Sequence, residues 1–289
     1  MLRKYLEAGK IAFEVKEFAR EIITPGVDLL RIAELIEAKI VELGGKPAFP
    51  VNLSKNDVAA HYTPSRDSKE TLLEEDVLKV DIGVHVDGYI ADTAFTVGGG
   101  NLTKASEKAL SEAISIVKAG TSVLEIGRVI EQVIRERGFK PIENLGGHSI
   151  DRWNLHSGVT VPNVPKGRDF KLKEGMVIAI EPFSSMGSGR VVDTEEVYIF
   201  QFIREVPIRL KGARELLNRV KLEFGSLPFA ERWISGYSKR TLEILMTELV
   251  KAGALYPHRV LREAKRGLVA QAEETLIVER DGCEVITSL

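Results

Sequence analysis

The chain has 289 residues, which suggests one large or two modest domains and is long enough to bury a substantial core. Its 40 basic and 42 acidic side chains nearly cancel, so the charge balance indicates neither general nucleic-acid binding nor an acidic disordered tail. An apolar content of 44% and a charged content of 28% are typical of globular proteins and exclude disorder as the main state.

Cysteine content and hydropathy indicate the cellular compartment of the protein. The single cysteine, Cys283, cannot form an internal disulfide and fits a reducing compartment. The N-terminal residues carry charges every few positions, unlike the apolar stretch of a signal peptide. No segment approaches the roughly 20 apolar residues that a membrane helix needs. We therefore expect a cytoplasmic protein without membrane contact. A monomer is expected as well, but no feature of the sequence indicates the oligomeric state.

The first elements are a predicted pair of helices. Apolar residues at spacings of three to four place an amphipathic helix over residues 3–24, which Pro25 and Gly26 end. A second helix begins after Asp28, the expected N-cap, and ends at Gly44.

This helical unit recurs along the chain. A shift of 94 residues lays residues 26–47 over residues 120–141 with ten of 22 positions identical, and the expected caps Asp28 and Ser122 coincide. An earlier helix, at about residues 103–119, precedes the second copy as well. Such a repeat is typical of one structural unit used twice, so we predict two related halves.

Each copy is followed by predicted strands. In the first half DVLKVDIGVHV and YIADTAFTV flank Asp87-Gly88, a strong hairpin signal. In the second half the predicted strands are GMVIAIEPF and, further on, VYIFQFI. An offset of 100 residues places Asp81 on Glu181, so carboxylates occupy equivalent strand positions in the two halves.

The remaining chain divides into an insertion and a C-terminal pair of strands. Residues 204–257 have no counterpart in the first copy and contain helical patterns, so we interpret them as a helical insertion. The last residues, GLVAQAEETLIVERDGCEVITSL, predict two strands that rejoin the central sheet. The predicted fold is α+β, a single domain of two pseudo-symmetric ααββ halves, about residues 1–100 and about residues 101–203 plus 258–289.

Two aspartates of the predicted hairpin share one face. If Asp87-Gly88 forms a two-residue turn, Asp81 lies opposite Ala94 and diagonal to Asp92, roughly 7 to 8 Å apart at the backbone. Two such carboxylates repel unless one is protonated or a cation neutralises both, and oxygen-rich sites suit divalent ions. A half-exposed edge position is the simpler explanation for Asp81 taken alone.

Three more residues could join these aspartates. His148 follows two glycines that permit close backbone approach, although a lone histidine is more often structural. Glu181 follows five apolar residues, where its carboxylate needs an ion pair or a metal. Glu273 leads into a hydrophobic strand, and its neighbour Glu274 points to the other face. The five residues together suffice for two ions with bridging carboxylates, a device that aminopeptidases use.

Four other histidines have less specific contexts. His61 and His156 differ by 95 positions and nearly superpose under the repeat, but neither has ligand-like spacing. We interpret His85 as a strand surface residue and His258, beside Pro257, as a loop residue.

These motifs resemble one known family. VDIGVHVDGYIADTAFTV, NLGGHSIDRWNLHSGV, AIEPF, AAHYTP and SLPFAERW together are similar to type 2 methionine aminopeptidases of the short archaeal form, over essentially the whole chain. The resemblance implies the pita-bread fold, with a curved antiparallel sheet and a helical insertion. It also implies removal of the N-terminal methionine from nascent proteins, with a small second residue preferred.

The resemblance further implies a role for each site residue. Asp81 would grip one of two divalent ions, Asp92 and Glu273 would bridge them, and His148 and Glu181 would complete the other, with cobalt, manganese, iron or zinc all compatible. Glu181 would shuttle the proton, His156 would stabilise the oxyanion, and His61 would contact the amide nitrogen or the leaving group. The walls of the methionine pocket would be Phe49, Leu155, Phe183 and Tyr256.

One departure from the family pattern stands beside the last ligand. Where the family usually has QFEHT, this chain has QAEET, with Ala272 and Glu274 in place of phenylalanine and histidine. The ligand Glu273 is retained. The change therefore affects packing and charge beside the site more than the class of reaction.

Two alternative functions are compatible with the same fold. An Xaa-Pro aminopeptidase or prolidase shares the five ligands, but it brings a large N-terminal domain, which we do not expect here because the sequence starts at the first helix of the repeat. A non-enzymatic pita-bread protein that binds ribosomes or RNA typically loses ligands and gains basic extensions. Residues 204–221 carry six basic side chains that could face ribosomal RNA, although a solvated helix face is the preferred explanation.

Overall fold

The chain alternates pairs of helices with strands. The structure is a computed structural model that describes residues 2–288. Its helices are α1 (Leu2–Ile22), α2 (Leu29–Glu42), α3 (Asn101–Ser115), α4 (Val123–Glu136), α5 (Lys211–Phe224) and α6 (Lys239–Lys251), with a short 3₁₀ helix at Glu231–Trp233. The two predicted helix pairs are therefore confirmed.

The strands are short and pair only in antiparallel fashion within residues 2–288. Those of the first half are β1 (Lys46–Pro47), β2 (Asn52–Lys55), β3 (Val58–Ala60), β4 (Leu78–Val86) and β5 (Tyr89–Val97). The strands that follow α4 are β6 (Lys140–Pro141), β7 (Gly146–Ile150), β8 (Thr160–Pro162), β9 (Val177–Ile180), β10 (Phe183–Ser185) and β11 (Val191–Phe202). The last are β12 (Phe229–Ala230), β13 (Leu255–Glu263), β14 (Val269–Gln271), β15 (Glu274–Val278) and β16 (Cys283–Val285).

These strands form four sheets. Their orders are β1-β4-β2 with β5 paired along the opposite edge of β4, β14-β10-β6, β12-β11-β13-β3, and β16-β15-β9-β7-β8. The first and last of these are linked where Ala94 and Glu273 exchange backbone hydrogen bonds of 3.2 and 2.9 Å. The Ala94–Glu273 contact joins the predicted hairpin to the C-terminal strands.

The repeat seen in the sequence has a direct structural counterpart. Helices α2 and α4 begin and end 94 residues apart, as do β1 and β6. The loop before each helix is held in the same way, because Gly26 N–H donates to the Leu72 carbonyl and Gly120 N–H to the Leu172 carbonyl, at 2.7 and 2.8 Å. One cluster of buried apolar side chains is built mainly on the first half and also includes Ile150 and Val177 of the second, and another cluster lies within the second half.

The helix caps differ in detail between the copies. Ser122 accepts a hydrogen bond from Leu124 N–H, and Glu125 accepts one from Ser122 N–H, which completes a capping box on α4. Asp28 occupies the N-cap position of α2 but makes no side-chain hydrogen bond to that helix. Cap chemistry is therefore satisfied by the side chain only in the second copy.

The strand partners in the second half correct one expectation. The segment VYIFQFI was predicted to complete the second half, but most of it lies in β11, which pairs with β12 and β13 in a separate sheet. The partners of β9 are instead β7 and β15, with Glu274 of β15 opposite Ile180. The physical reason is that strands far apart in sequence can pair when the chain between them folds elsewhere. Here the insertion and the sheet that contains β11 lie between β9 and β15 in sequence.

Residues 204–257 contain α5 and α6, as the helical patterns predicted. Their apolar side chains, including Leu216 and Leu249, pack with Phe229 in a third cluster of buried residues. The boundaries of the two halves and of the insertion stay predictions. Within residues 2–288, no helix combines the length and apolar character that crossing a membrane requires.

Candidate active site

The β4–β5 hairpin has the register that its turn predicts. Val86 pairs with Tyr89, Asp81 with Ala94, and Gly83 with Asp92. Asp81 and Asp92 are therefore diagonal neighbours on one face, as expected. A side chain at position 83 would clash, because a Cβ there would lie 2.2 Å from the ring of Phe49, so this position requires glycine.

The second half brings three more side chains to the same place. His148 lies on β7, Glu181 directly follows β9, and Glu273 directly precedes β15. The glycine before His148 permits the expected close approach, since a Cβ at Gly147 would lie 2.0 Å from the carbonyl oxygen of Ala179. Strands from both halves thus converge on one group of polar residues.

Three of these residues have the spacing of a metal site. One ligand atom from each of Asp92, His148 and Glu273 lies within 4.8 Å of the others. The His148 Nε2 atom is 3.6 Å from Asp92 Oδ2. All three side chains are buried, with exposed fractions of 4%, 6% and 1%. A candidate metal site is therefore present.

Several polar atoms of this cluster have no hydrogen-bond partner among the described residues. They are Asp81 Oδ1, Asp92 Oδ1, His148 Nδ1 and Glu273 Oε1, all inaccessible to solvent. Buried polar atoms are nearly always paired, so unpaired carboxylate oxygens that face one another are unusual. Carboxylate oxygens and an imidazole nitrogen are ligands of divalent ions, so the donor set fits such ions.

The electrostatics of the cluster support the same interpretation. Burial raises the pKa of Asp81 to about 7. Burial, followed by the charges of Asp81 and Glu181, raises the pKa of Asp92 well above its ordinary value. The pKa values of Glu181 and Glu273 rise for the same two kinds of cause. Burial and then His156 lower the pKa of His148 to about 3. The carboxylates therefore oppose full ionisation unless positive charge is supplied.

Gln271 belongs to this cluster and was not identified from the sequence. Its Nε2 atom donates to Glu181 Oε2 at 3.3 Å and to Glu273 Oε2 at 3.4 Å. Since Gln271 precedes Glu273 by two residues, the period of a strand could have placed both side chains on one face. Gln271 therefore orients two of the predicted ligands.

The cluster lies in the wall of a cavity of about 430 Å³. Besides the five predicted ligands, the lining includes the predicted substrate residues Phe49, His61, Leu155, His156 and Phe183. The fourth predicted pocket residue, Tyr256, is not part of this lining. It is 54% exposed, and its ring meets that of His258 edge to face at 5.0 Å.

His61 has an unusual backbone and a defined tautomer. Its φ angle of 63° lies in the left-handed region, which residues with a Cβ seldom adopt. Its Nδ1 atom is 3.1 Å from the Arg259 carbonyl, which can only accept, so Nδ1 carries the hydrogen. Burial lowers the pKa of His61, which keeps the ring neutral. Nε2 is consequently a hydrogen-bond acceptor.

His156 packs directly against the predicted ligand His148. Their ring centroids are 4.1 Å apart, with the planes inclined by 64°. Burial, and then the nearby His61, lower the pKa of His156 to about 4. A neutral imidazole beside the candidate ligands can donate a hydrogen bond without adding a fixed charge.

Two expectations about histidines were wrong. His85 is buried rather than on the strand surface. Its Nδ1 accepts from Gly88 N–H at 3.2 Å, and its ring centroid lies 5.0 Å from that of Trp153. His258 is not in a loop but on β13, where it lines the cavity. Pro257 argued against a strand here, yet β13 tolerates it opposite Phe200.

Glu274, the departure from the family pattern, is fully paired on the other face of its strand. Its carboxylate accepts from Lys16 Nζ at 2.7 Å, from Thr93 Oγ1 at 3.2 Å and from Thr287 Oγ1. Lys16 lies on α1 and is itself buried. The substituted residue therefore forms an internal ion pair behind the cluster rather than a ligand.

Comparison with known proteins defines the class. The model for metallopeptidase family M24 matches residues 3–214, and the chain belongs to that family. Within it, the chain is 51% identical over 290 residues to a methionine aminopeptidase of Pyrococcus abyssi, with 98% of each chain covered.

Solved structures support the fold. The chain superposes on a thermophilic Arx1 with a TM-score of 0.85 at 18% identity, covering 100% of this chain and 91% of that one. It superposes on a methionine aminopeptidase of Thermotoga maritima with a TM-score of 0.73 at 21% identity, covering 99% and 96%. The predicted pita-bread fold is confirmed.

Proposed function

We propose that the protein is a methionine aminopeptidase, which hydrolyses the first peptide bond of chains that begin with methionine. The observation that carries this proposal is the group of buried, unpaired ligand atoms in the wall of a cavity. The relatives named methionine aminopeptidase, similar over nearly their whole length, support the same activity.

Five residues are proposed to hold two divalent ions. Asp81 would bind one ion, Asp92 and Glu273 would be shared, and His148 and Glu181 would complete the second. Bound ions of this kind activate water as a nucleophile at neutral pH and polarise a carbonyl. The unpaired atoms of Asp81, Asp92, His148 and Glu273 support this set, but they do not distinguish cobalt, manganese, iron and zinc.

The other proposed roles belong to groups that face the substrate. Glu181 transfers a proton to the leaving amine, because its carboxyl lines the cavity within the ligand cluster, where the scissile bond would lie. His156 donates a hydrogen bond to the oxygen of the scissile carbonyl as negative charge develops there. His61 accepts the N–H of the scissile amide through Nε2, the acceptor that its tautomer leaves free.

Specificity for methionine is proposed to come from the apolar lining. Phe49, Leu155 and Phe183 line the cavity close to the ligand cluster. An unbranched thioether fits an aromatic slot and gains sulfur–aromatic contacts of roughly 0.3 to 1.5 kcal/mol. Preference for a small second residue is implied by the resemblance.

Peptides that begin Met-Ala, Met-Lys, Leu-Ala and Ala-Pro test this function. The protein is loaded in turn with each of the four metals, and its metal content is measured beside its rate of cleavage. We expect Met-Ala to be the best substrate. Ala-Pro as the best substrate would identify a proline-specific peptidase, and no cleavage with metal bound would favour a non-enzymatic protein.

Partners and location are proposed from the sequence alone. We propose a cytoplasmic monomer that acts on nascent chains. Contact with ribosomal RNA through residues 204–221 is less well supported, because Lys211, Arg219 and Lys221 form ion pairs with nearby glutamates. Those pairs favour a solvated helix face.

A further inference from the structure

His258 is the cavity histidine that neither the ligand set nor the proposed mechanism uses. It lies on β13 opposite Ile199 of β11, and both residues line the cavity. Ala60 of β3 and Pro228, which precedes β12, also line it, so the sheet β12-β11-β13-β3 forms one wall. None of the predicted metal ligands lies on that sheet. A substrate in the cavity therefore lies between the ligand cluster and the wall that contains His258.

The hydrogen bonds around Gln201 determine the tautomer of His258. Gln201 Nε2 donates to the Ser226 carbonyl at 2.8 Å, which fixes the orientation of the amide. Gln201 Oε1 is then the atom 3.2 Å from His258 Nε2. Because that oxygen can only accept, Nε2 of His258 carries the hydrogen and Nδ1 is an acceptor.

The Nδ1 atom of His258 is available to a ligand. It has no hydrogen-bond partner within residues 2–288, and it is not among the side-chain atoms that are sealed from solvent. The rest of the ring is held by its neighbours, with the rings of His61 and Tyr256 edge to face at 5.4 and 5.0 Å. His258 thus presents a rigidly oriented acceptor.

The substrate offers few groups that could meet this acceptor. A peptide donates hydrogen bonds through its terminal amine and its backbone N–H groups. In the proposed function the scissile N–H faces His61, and we place the terminal amine, one residue before it, at the ligand cluster. We propose that His258 contacts substrate, accepting through Nδ1 a backbone N–H beyond the scissile bond. This inference rests on the proposed function and extends it to recognition of the chain that follows methionine.

Two substitutions separate the two nitrogens of the ring. His258→Asn places an amide oxygen near the position of Nδ1, whereas His258→Gln keeps a polar group near Nε2 and loses the acceptor at Nδ1. The matched control is His85→Asn, the same exchange at a buried histidine outside the cavity. Thermal unfolding of each variant establishes that it is folded.

Each metal-loaded protein is assayed on Met-p-nitroanilide, which has no backbone beyond the scissile bond, and on Met-Ala-Ser. We expect His258→Gln to lower kcat/KM for Met-Ala-Ser by roughly three- to tenfold, the value of one hydrogen bond. The same variant should leave Met-p-nitroanilide unchanged, and His258→Asn should recover most of the loss. His85→Asn should show no dependence on substrate length.

Equal losses on both substrates would overturn the inference, because they would mean that His258 acts by supporting His61. Full activity of both variants on Met-Ala-Ser, or a larger loss in His258→Asn than in His258→Gln, would also overturn it. If the wild-type protein cleaves neither substrate with metal bound, the proposed function fails and the inference fails with it. If the wild-type protein is active and the variants give any of the contradicting results above, the inference about His258 is wrong but the proposed function stands.

Discussion

Two regions of this protein bury carboxylates. In one the carboxylate accepts many hydrogen bonds, and in the other the carboxylates have unpaired oxygens. Glu263, at the end of β13, is 1% exposed and accepts hydrogen bonds from Ser188 N–H and Oγ and from the N–H groups of Gly189, Lys265 and Gly267. Burial opposes its ionisation, but these donors prevail and lower its pKa to about 2. In the cavity, Asp92 and Glu273 are also buried, yet each retains an unpaired oxygen and has a raised pKa.

The difference shows that burial of an acid does not by itself indicate function. Glu263 is saturated with donors from its own chain, so its charge stabilises the fold. Asp92 and Glu273 face other carboxylates instead, which costs stability unless a cation is bound. Donor saturation is therefore the property that separates a structural acid from a ligand.

The largest effect should come from Asp92→Asn, which removes a proposed shared ligand. We expect activity below about a tenth of wild type after full metal titration, together with reduced metal content, because loss of even a supporting group costs 10- to 100-fold. The metal-free variant should unfold at the same or a higher temperature, since one of several facing carboxylates is gone. Turnover above a tenth of the wild-type rate after full metal titration would contradict the bridging role.

His156→Ala separates a substrate contact from a ligand within the same cavity. Loss of one group that stabilises developing charge typically lowers turnover by about 10²- to 10³-fold. Metal content, measured by elemental analysis, should be unchanged. A lower metal content would show instead that His156 belongs to the ligand set.

Glu263→Gln tests whether the charge of the fully hydrogen-bonded Glu263 stabilises the fold. The pKa of Glu263 is lowered from 4.5 to about 2, so its contribution to the free energy of unfolding is present above pH 4.5 and is lost as the pH falls towards 2. From this shift we expect the substitution to cost about 3 kcal/mol at neutral pH.

Denaturant unfolding of wild type and Glu263→Gln at neutral and acid pH measures this effect. The two proteins should converge in acid, and activity per folded molecule should be retained at neutral pH. A difference that stays constant between pH 7 and pH 3 would contradict the assigned role of the charge.

Divalent ions should stabilise the folded protein by binding the acids of the cavity and not Glu263. Ions at 100 times their dissociation constant raise the free energy of unfolding by about 2.7 kcal/mol if they bind only the folded state. Thermal unfolding should therefore shift upward with metal in the wild type and in Glu263→Gln, and less in Asp92→Asn. Equal shifts in all three proteins would place the binding elsewhere.

Local signals account for the parts of the site that were predicted correctly. The Asp87-Gly88 turn determined the register of β4 and β5, and register alone put Asp81 diagonal to Asp92. The two glycines before His148 indicated the close approach that the structure contains. These features depend on residues within a few positions of one another.

Other features were missed because they depend on partners distant in sequence. Gln271 meets Glu181 across 90 positions, and His258 reaches the cavity only because β13 pairs with β11. Tyr256, two residues earlier on the same strand, is mostly exposed. The alternation of side chains along a strand could have been inferred from the sequence at Gln271 and at His258. The strand that each of them faces could not.

The sequence by itself determined the repeat, the helix pairs, the hairpin register and the residue types of the site, since each follows from local periodicity or turn chemistry. Only the tertiary structure decided that β15 rather than VYIFQFI pairs with β9, that Lys16 neutralises Glu274, and that His258 faces the cavity. Those outcomes depend on which distant segments pack together, and packing depends on the shape and burial of the whole chain rather than on any local pattern.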